Sequence, residues 1–252
     1  MSGKPVIVLV HGAWHRPLHY NNLISPLKDA GFTVVAPANA SAGYDDSVAG
    51  KTHLDDVAVV HAAMKPHLDA GKEIVVVCHS YGGLVGTDST AGNTLEERKA
   101  QGLKGGVRSI IYIAAFALPQ SGVSLAGLGS GIPKPDWWAL ERKQGDYALL
   151  SEKAPATLYS DVDETNSAMA ASCLARQSIA SMSSNAKHSA GELKAAKTYI
   201  VCKKDLCLPG EFQTMFAQAM QGTIIELDCG HSPFFKKPET QEILQIIKTA
   251  AE

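Results

Sequence analysis

The chain has 252 residues, with 23 Lys and Arg against 25 Asp and Glu, 45% hydrophobic and 19% charged residues. That length suffices to bury a core, that composition excludes a disordered chain, and a formal charge of −2 gives no electrostatic footprint for nucleic acid. The apolar run nearest the start, Val6–Val10, is far short of the roughly 20 residues of a membrane span and too short for a secretory leader, so a soluble protein is expected.

Short β-branched runs alternate with longer segments of mixed polarity, which predicts an α/β protein on a mainly parallel sheet. In chain order the pattern gives a strand at Val6–Val10, a helix at His19–Ala30 closed by Gly31, and a strand at Phe32–Ala36. A helix at Thr52–Ala70 closed by Gly71 leads to a strand at Glu73–Cys78, then a helix at Gly82–Lys99 and a strand at Val107–Ala115. The series resumes with strands at Lys197–Cys202 and Thr223–Leu227 and helices at Gly210–Gln221 and Pro238–Ala251, with Pro209 and Pro238 suited to first helical turns. About six strands with helices on both faces are expected, since several strands read as nearly continuous apolar runs. Residues 118–190 break the alternation. They carry Pro119, Pro133, Pro135, Trp137, Trp138 and Pro155, no strand of the main series, and an Ala-, Ser- and Met-rich stretch from Asp163 to Lys187 with helical spacing. A segment of that length is not an idle loop, so a core of 1–117 and 191–252 is expected to carry a largely helical insertion at 118–190.

Cys78, Cys173, Cys202, Cys207 and Cys229 are odd in number and form no C-x-x-C pair. Neither a disulfide framework nor a zinc site is suggested, and nothing in the chain implies a metal or organic cofactor. A reduced, cytoplasmic setting is expected, in which the sequon Asn39-Ala40-Ser41 is a chance match.

The chemistry gathers after strand ends. Cys78-His79-Ser80-Tyr81-Gly82-Gly83 follows an apolar strand and opens a helix, a G-x-S-x-G nucleophile elbow with Cys in the first glycine position. Its demand is a sharp turn that lifts the Ser80 hydroxyl above the sheet. His11-Gly12-Ala13-Trp14 follows the first strand, where the N–H of Ala13, with that of Tyr81 after the nucleophile, would receive the oxyanion of acyl transfer. A serine hydroxyl needs a base, and the base needs an orienting group. His231, in Gly230-His231-Ser232-Pro233, follows the last strand, and Asp205 follows the one before it. Asp228 competes with Asp205 but is only three residues before His231, a poor position from which to orient its ring. Among the other histidines, His53, His61 and His67 read as helix-packing or surface residues, His188 as part of a polar stretch, and His79 as packing the turn. Trp14 and His15, and less directly His19, lie close enough to the oxyanion loop to line a substrate pocket. Trp137, Trp138, Met169 and Met182 of the insertion would either roof it or pack the insertion on the core.

These residues resemble the α/β-hydrolase superfamily, in particular its plant methylesterase and hydroxynitrile lyase branch. The resemblance rests on Val10-His11-Gly12-Ala13-Trp14-His15, on His79 to Gly83, and on Tyr199 through Asp205 to Gln213 and Gly230 to Pro233 with Pro238-Glu239 beyond. It covers about 4–116 and 197–250, and implies Ser80 as nucleophile, Asp205 as acid, His231 as base, Ala13 and Tyr81 as oxyanion donors, and a cap at the insertion. Hydroxynitrile lyases of the group carry Thr where this chain has Gly12, and Lys directly after the catalytic His, where this chain has Ser232. Without that cation a leaving cyanide has no electrostatic partner, so an esterase or lactonase acting on a small apolar or aromatic molecule is favoured. Ser80 argues against the epoxide hydrolases and dehalogenases, whose nucleophile is Asp. The alternatives are a cofactor-free lyase or isomerase and a receptor-like binding protein on the same fold. An exposed apolar cap face leaves a homodimer open.

Overall fold

The structure, a computed structural model, describes residues 3–128 and 146–252. Its strands are β1 (Val6–Val10), β2 (Val34–Val35), β3 (Ala42–Gly43), β4 (Glu73–His79), β5 (Gly106–Ile113), β6 (Tyr147–Ala148), β7 (Arg176–Ser178), β8 (Ala196–Cys202) and β9 (Thr223–Leu227). Its α-helices are α1 (Asn21–Asp29), α2 (His53–Asp69), α3 (Gly82–Thr90), α4 (Leu95–Ala100), α5 (Leu125–Leu128), α6 (Pro155–Leu158), α7 (Glu164–Ser172), α8 (Ile179–Ser183), α9 (Gly210–Ala219) and α10 (Lys237–Ala250).

The main sheet is six-stranded and parallel, in the order β2-β1-β4-β5-β8-β9. Period-two alternation sorts each strand between two cores. Val6, Val8 and Val10 of β1 and Ile74 and Val76 of β4 face α2, α3 and α9, joining Val60, Met64, Leu84 and Phe216. Ile7, Leu9, Val75 and Val77 face α1 and α10, joining Leu23, Leu27, Ile243 and Ile247. Both faces are therefore covered, which is why the strands read as unbroken apolar runs. From β1 the chain goes to β2 on one side and later to β4 on the other. That reversal makes the gap beyond β1 and β4 the topological switch point, where open α/β sheets place ligands.

Three details depart from the expectations. The helix expected over Gly82–Lys99 is two helices. Gly92 takes a φ of +77°, which stops α3, and Thr94 then caps α4 by exchanging hydrogen bonds with Glu97. Of the strand expected at Phe32–Ala36, only Val34–Val35 ladders, because it lies at the sheet edge with β1 as sole neighbour. The segment expected to be largely helical holds α5 to α8 but also β6 and β7, and β7 interrupts the Asp163–Lys187 stretch. β7 pairs antiparallel with β6 and with β3, so residues 42–43, far upstream, complete a second, three-stranded sheet. Arg176-Gln177-Ser178 has no strand propensity of its own; its pairing is a tertiary effect. No helix among the described residues is long and apolar enough to cross a membrane.

Candidate active site

β4 ends at His79, and Ser80 turns the chain into α3 with a φ of +54°, a left-handed conformation uncommon for a residue with a Cβ. The turn is held from two sides. The Ser80 N–H donates to the Ile113 carbonyl at 3.2 Å, and the Ser80 carbonyl accepts from Gly83 and Phe116, both at 3.0 Å. A Cβ on Gly82 would lie 2.3 Å from the Val10 carbonyl oxygen, so the first turn of α3 rests directly on the exit of β1. Gly82→Ala is expected to destabilise the fold by about 2–3 kcal/mol, read as a lower urea midpoint at unchanged slope; an unchanged midpoint would refute the close approach. The cysteine in the first glycine position also finds its reason here. A Cβ on Gly86, one turn into α3, would meet Cys78 Sγ at 2.1 Å, so the thiol takes the space that Gly86 leaves open.

Ser80 Oγ lies 3.0 Å from His231 Nε2, and His231 Nδ1 lies 2.7 Å from Asp205 Oδ2. The carboxylate is itself fixed. Oδ1 accepts the backbone N–H groups of Cys207 at 2.7 Å and Leu208 at 2.9 Å, and Oδ2 accepts Gln213 Nε2 at 2.9 Å. Gln213, fully buried on α9, is oriented in turn by the Cys202 N–H, which donates to its Oε1 at 2.9 Å. Burial works against a charge on His231, but the adjoining Asp205 carboxylate outweighs it and raises the imidazole pKa well above its ordinary value. The buried histidines around it move the other way. Burial holds His15 and His79 well below the usual range, lowers His19, and pushes His11 down to about 3. Among these imidazoles only His231 faces both a carboxylate and a serine hydroxyl.

Ala13 lies on the loop after β1, next to Gly12, where a Cβ would come 3.0 Å from the Ser80 Cβ, and Tyr81 follows Ser80 at the start of α3. No hydrogen bond occupies either backbone N–H among the described residues. Gly12, beside Ala13, donates its N–H to the Tyr20 hydroxyl at 2.8 Å, which contacts His79 Nδ1 at 2.7 Å. The phenol proton therefore goes to Nδ1, and His79 Nε2–H donates to the His231 carbonyl at 2.9 Å. This relay ties the loop of Ala13 to the loop of the base through the residue before Ser80. His79 thus does more than pack the turn.

The other candidates are placed as follows. Trp14 has a φ of +60°, and its indole N–H donates to the Ala148 carbonyl at 3.0 Å. Both ring nitrogens of His15 are engaged, with the Ala13 carbonyl at 2.8 Å and the Tyr159 hydroxyl at 3.0 Å. Met182 is buried in the larger core, Met169 is exposed on α7, and Trp137 and Trp138 lie outside the described residues. Asp228 is exposed and pairs with Lys204 at 2.6 Å, away from the His231 ring nitrogens. His53 departs from the surface or simple packing role expected: fully buried, it bonds Asp88 at 2.9 Å. The sequence gives no role to Tyr20, and it carries Gln213 only as the end of the segment that bears the family resemblance. Each is an unremarkable polar or aromatic position in a helical pattern, and only the fold brings it to the site.

A protein-family model described as the alpha/beta hydrolase family matches residues 7–241. The alpha/beta hydrolase nvfD of Aspergillus novofumigatus (strain IBT 16806) is 30% identical over 251 residues, covering 98% of this chain and 97% of that protein. Among solved structures, polyneuridine aldehyde esterase superposes with a TM-score of 0.79 at 18% identity, covering 99% of this chain and all (100%) of that one. The methylesterase protein MES16 from Arabidopsis does so with a TM-score of 0.73 at 19% identity, covering 97% and 99%. These two likenesses show a shared fold.

Proposed function

The chain belongs to the alpha/beta hydrolase family, and from that premise we propose that it is a serine esterase or lactonase for a small, largely apolar or aromatic carbonyl compound. The observation that carries the reading is the continuous line from Ser80 through His231 to Asp205, at 3.0 and 2.7 Å, set on a left-handed elbow. Ser80 Oγ attacks the carbonyl carbon while His231 Nε2 takes its proton. The Asp205 carboxylate holds the ring with Nδ1 protonated and stabilises the imidazolium. The N–H groups of Ala13 and Tyr81 receive the tetrahedral oxyanion. His231 then returns the proton to the departing alkoxide, and repeats the cycle with water to release the acid. The five free cysteines fit a reducing, cytoplasmic location.

Hydrolysis of nitrophenyl esters of graded acyl length tests the reading. Turnover in excess over enzyme supports it, and the chain-length profile sizes the pocket. A folded protein inert toward the whole panel and toward lactones counts against it. The pH profile offers a second check. The base works only when neutral, and Asp205 raises its pKa above the ordinary 6.5. kcat/KM is therefore expected to fall tenfold per unit of acidification below a midpoint that lies above 6.5. A midpoint at or under the ordinary histidine value would contradict the pairing.

A further inference from the structure

One buried polar chain is not used by the mechanism, and it runs between the two oxyanion residues. Trp14 follows Ala13, and the peptide that joins them carries no support from regular secondary structure. Three groups from beyond residue 146 hold Trp14. Its N–H donates to Gln177 Oε1 at 3.1 Å, its carbonyl accepts the Ala175 N–H at 2.7 Å, and its indole reaches Ala148. Gln177 sits at the centre of the three-stranded sheet with no exposed surface, and both polar atoms of its amide are engaged. Nε2 donates to Ser41 Oγ and Ser181 Oγ, both at 2.7 Å. The orientation of the amide is dictated by its neighbours. Ser41 has given its proton to Asp56 and Ser181 has given its own to the Ser178 carbonyl, so both can only accept. Asp56, also fully buried, then collects the Ser41 N–H at 2.8 Å, the Ser41 hydroxyl and the Tyr81 hydroxyl, with no cation on it among the described residues. The line Trp14–Gln177–Ser41–Asp56–Tyr81 thus ends on the neighbour of one oxyanion donor and on the other donor's own side chain.

We propose that Gln177 is a positioning residue for the oxyanion hole, a polar strut that fixes the Ala13–Trp14 peptide and, through Ser41 and Asp56, Tyr81 in one rigid frame. The assignment rests on the hydrolase reading above. Oxyanion donors act through preorganisation, and a misplacement of about 1 Å can cost about 10²-fold in rate. A glutamine is suited to the task because one planar group accepts on one side and donates twice on the other. Its effect falls on the transition state, where charge develops, and not on the neutral carbonyl of the bound substrate.

The test compares wild type with Gln177→Met, which keeps the volume and removes every hydrogen bond. A nitrophenyl ester is the substrate and phenylboronic acid the probe. The boronic acid forms a B–O bond to Ser80 Oγ as the serine proton passes to His231, leaving an anionic tetrahedral boronate with an oxygen toward Ala13 and Tyr81. In Gln177→Met kcat is expected to fall about 10- to 100-fold with KM within about twofold, and the inhibition constant of the boronic acid to rise by the same factor as kcat falls. If that variant does not fold, Ser41→Ala breaks the next link while leaving the contacts of Trp14 in place. A loss of kcat in the same direction, again without a change in KM, is then expected. Wild-type kcat in the folded variant, or a rise in KM alone, overturns the assignment. Absence of both ester turnover and boronate binding in the wild type overturns the hydrolase reading, and Gln177 with it. Normal wild-type behaviour beside an unaffected Gln177→Met overturns Gln177 alone.

Discussion

Ser80→Ala is expected to lower kcat/KM by on the order of 10⁶-fold while leaving the fold intact, measured on the best ester of the panel. The hydroxyl is the only atom removed. Among the described residues its single hydrogen-bond partner is His231 Nε2 at 3.0 Å, and the strained backbone at φ +54° remains strained with alanine. Ser80→Gly makes the comparison sharper. It removes the same nucleophile but relieves the left-handed conformation, so it should be about 1 kcal/mol more stable than Ser80→Ala and equally inactive. A Ser80→Ala protein that kept a tenth of wild-type turnover would refute Ser80 as nucleophile.

Asp205→Asn should cost about 10⁴-fold in kcat, for a reason written in its hydrogen bonds. Among the described residues every partner of this carboxylate is an N–H. Oδ1 receives the rigid backbone donors of Cys207 and Leu208, so the oxygen of an introduced amide stays there. The amide NH₂ then falls on the Oδ2 side, against His231 Nδ1 and Gln213 Nε2. Two donors cannot face each other, so His231 is driven to carry its proton on Nε2, toward Ser80, where it can no longer accept one. The same clash with Gln213 removes roughly 1–3 kcal/mol of stability. With the carboxylate gone, the acid limb of the pH profile shifts to lower pH. Activity within tenfold of wild type would show that another group orients the base.

The residues that could be named from sequence are those whose chemistry forces a local signature. A nucleophile on a sharp strand-to-helix turn needs small neighbours within a few positions, and Ser80 with Gly82 shows it. His231 and Asp205 follow apolar strands because the carboxyl ends of parallel strands converge on one edge, and the fold brings them within 3.0 and 2.7 Å of their partners. β1 and β4 are readable because strands inside a sheet covered on both faces are nearly pure Val, Ile and Leu or their like. What was not readable depends on contacts between distant segments. Gln177 looks like a polar residue in a helical stretch until β3 and β6 flank it. Gln213 looks like any polar residue of an amphipathic helix until Asp205 lies above it. The break between α3 and α4 is different. Gly92 and the Thr94–Glu97 capping pair were present as a signal, and the apolar periodicity through Gly82–Lys99 obscured them.

The fit between Cys78 and Gly86 also restricts how this elbow can have arisen or can change. A Cβ at 86 would stand 2.1 Å from the Cys78 sulfur but 3.6 Å from the Cys78 Cβ, so it is the thiol alone that excludes a side chain there. An elbow with alanine at both positions would suit the same backbone. Between that pair and the present one, the intermediate with Cys78 beside Ala at 86 clashes, while the intermediate with Ala at 78 beside Gly86 is open and only less well packed. The order of substitution is thereby set: the thiol must leave before a methyl group enters across the gap.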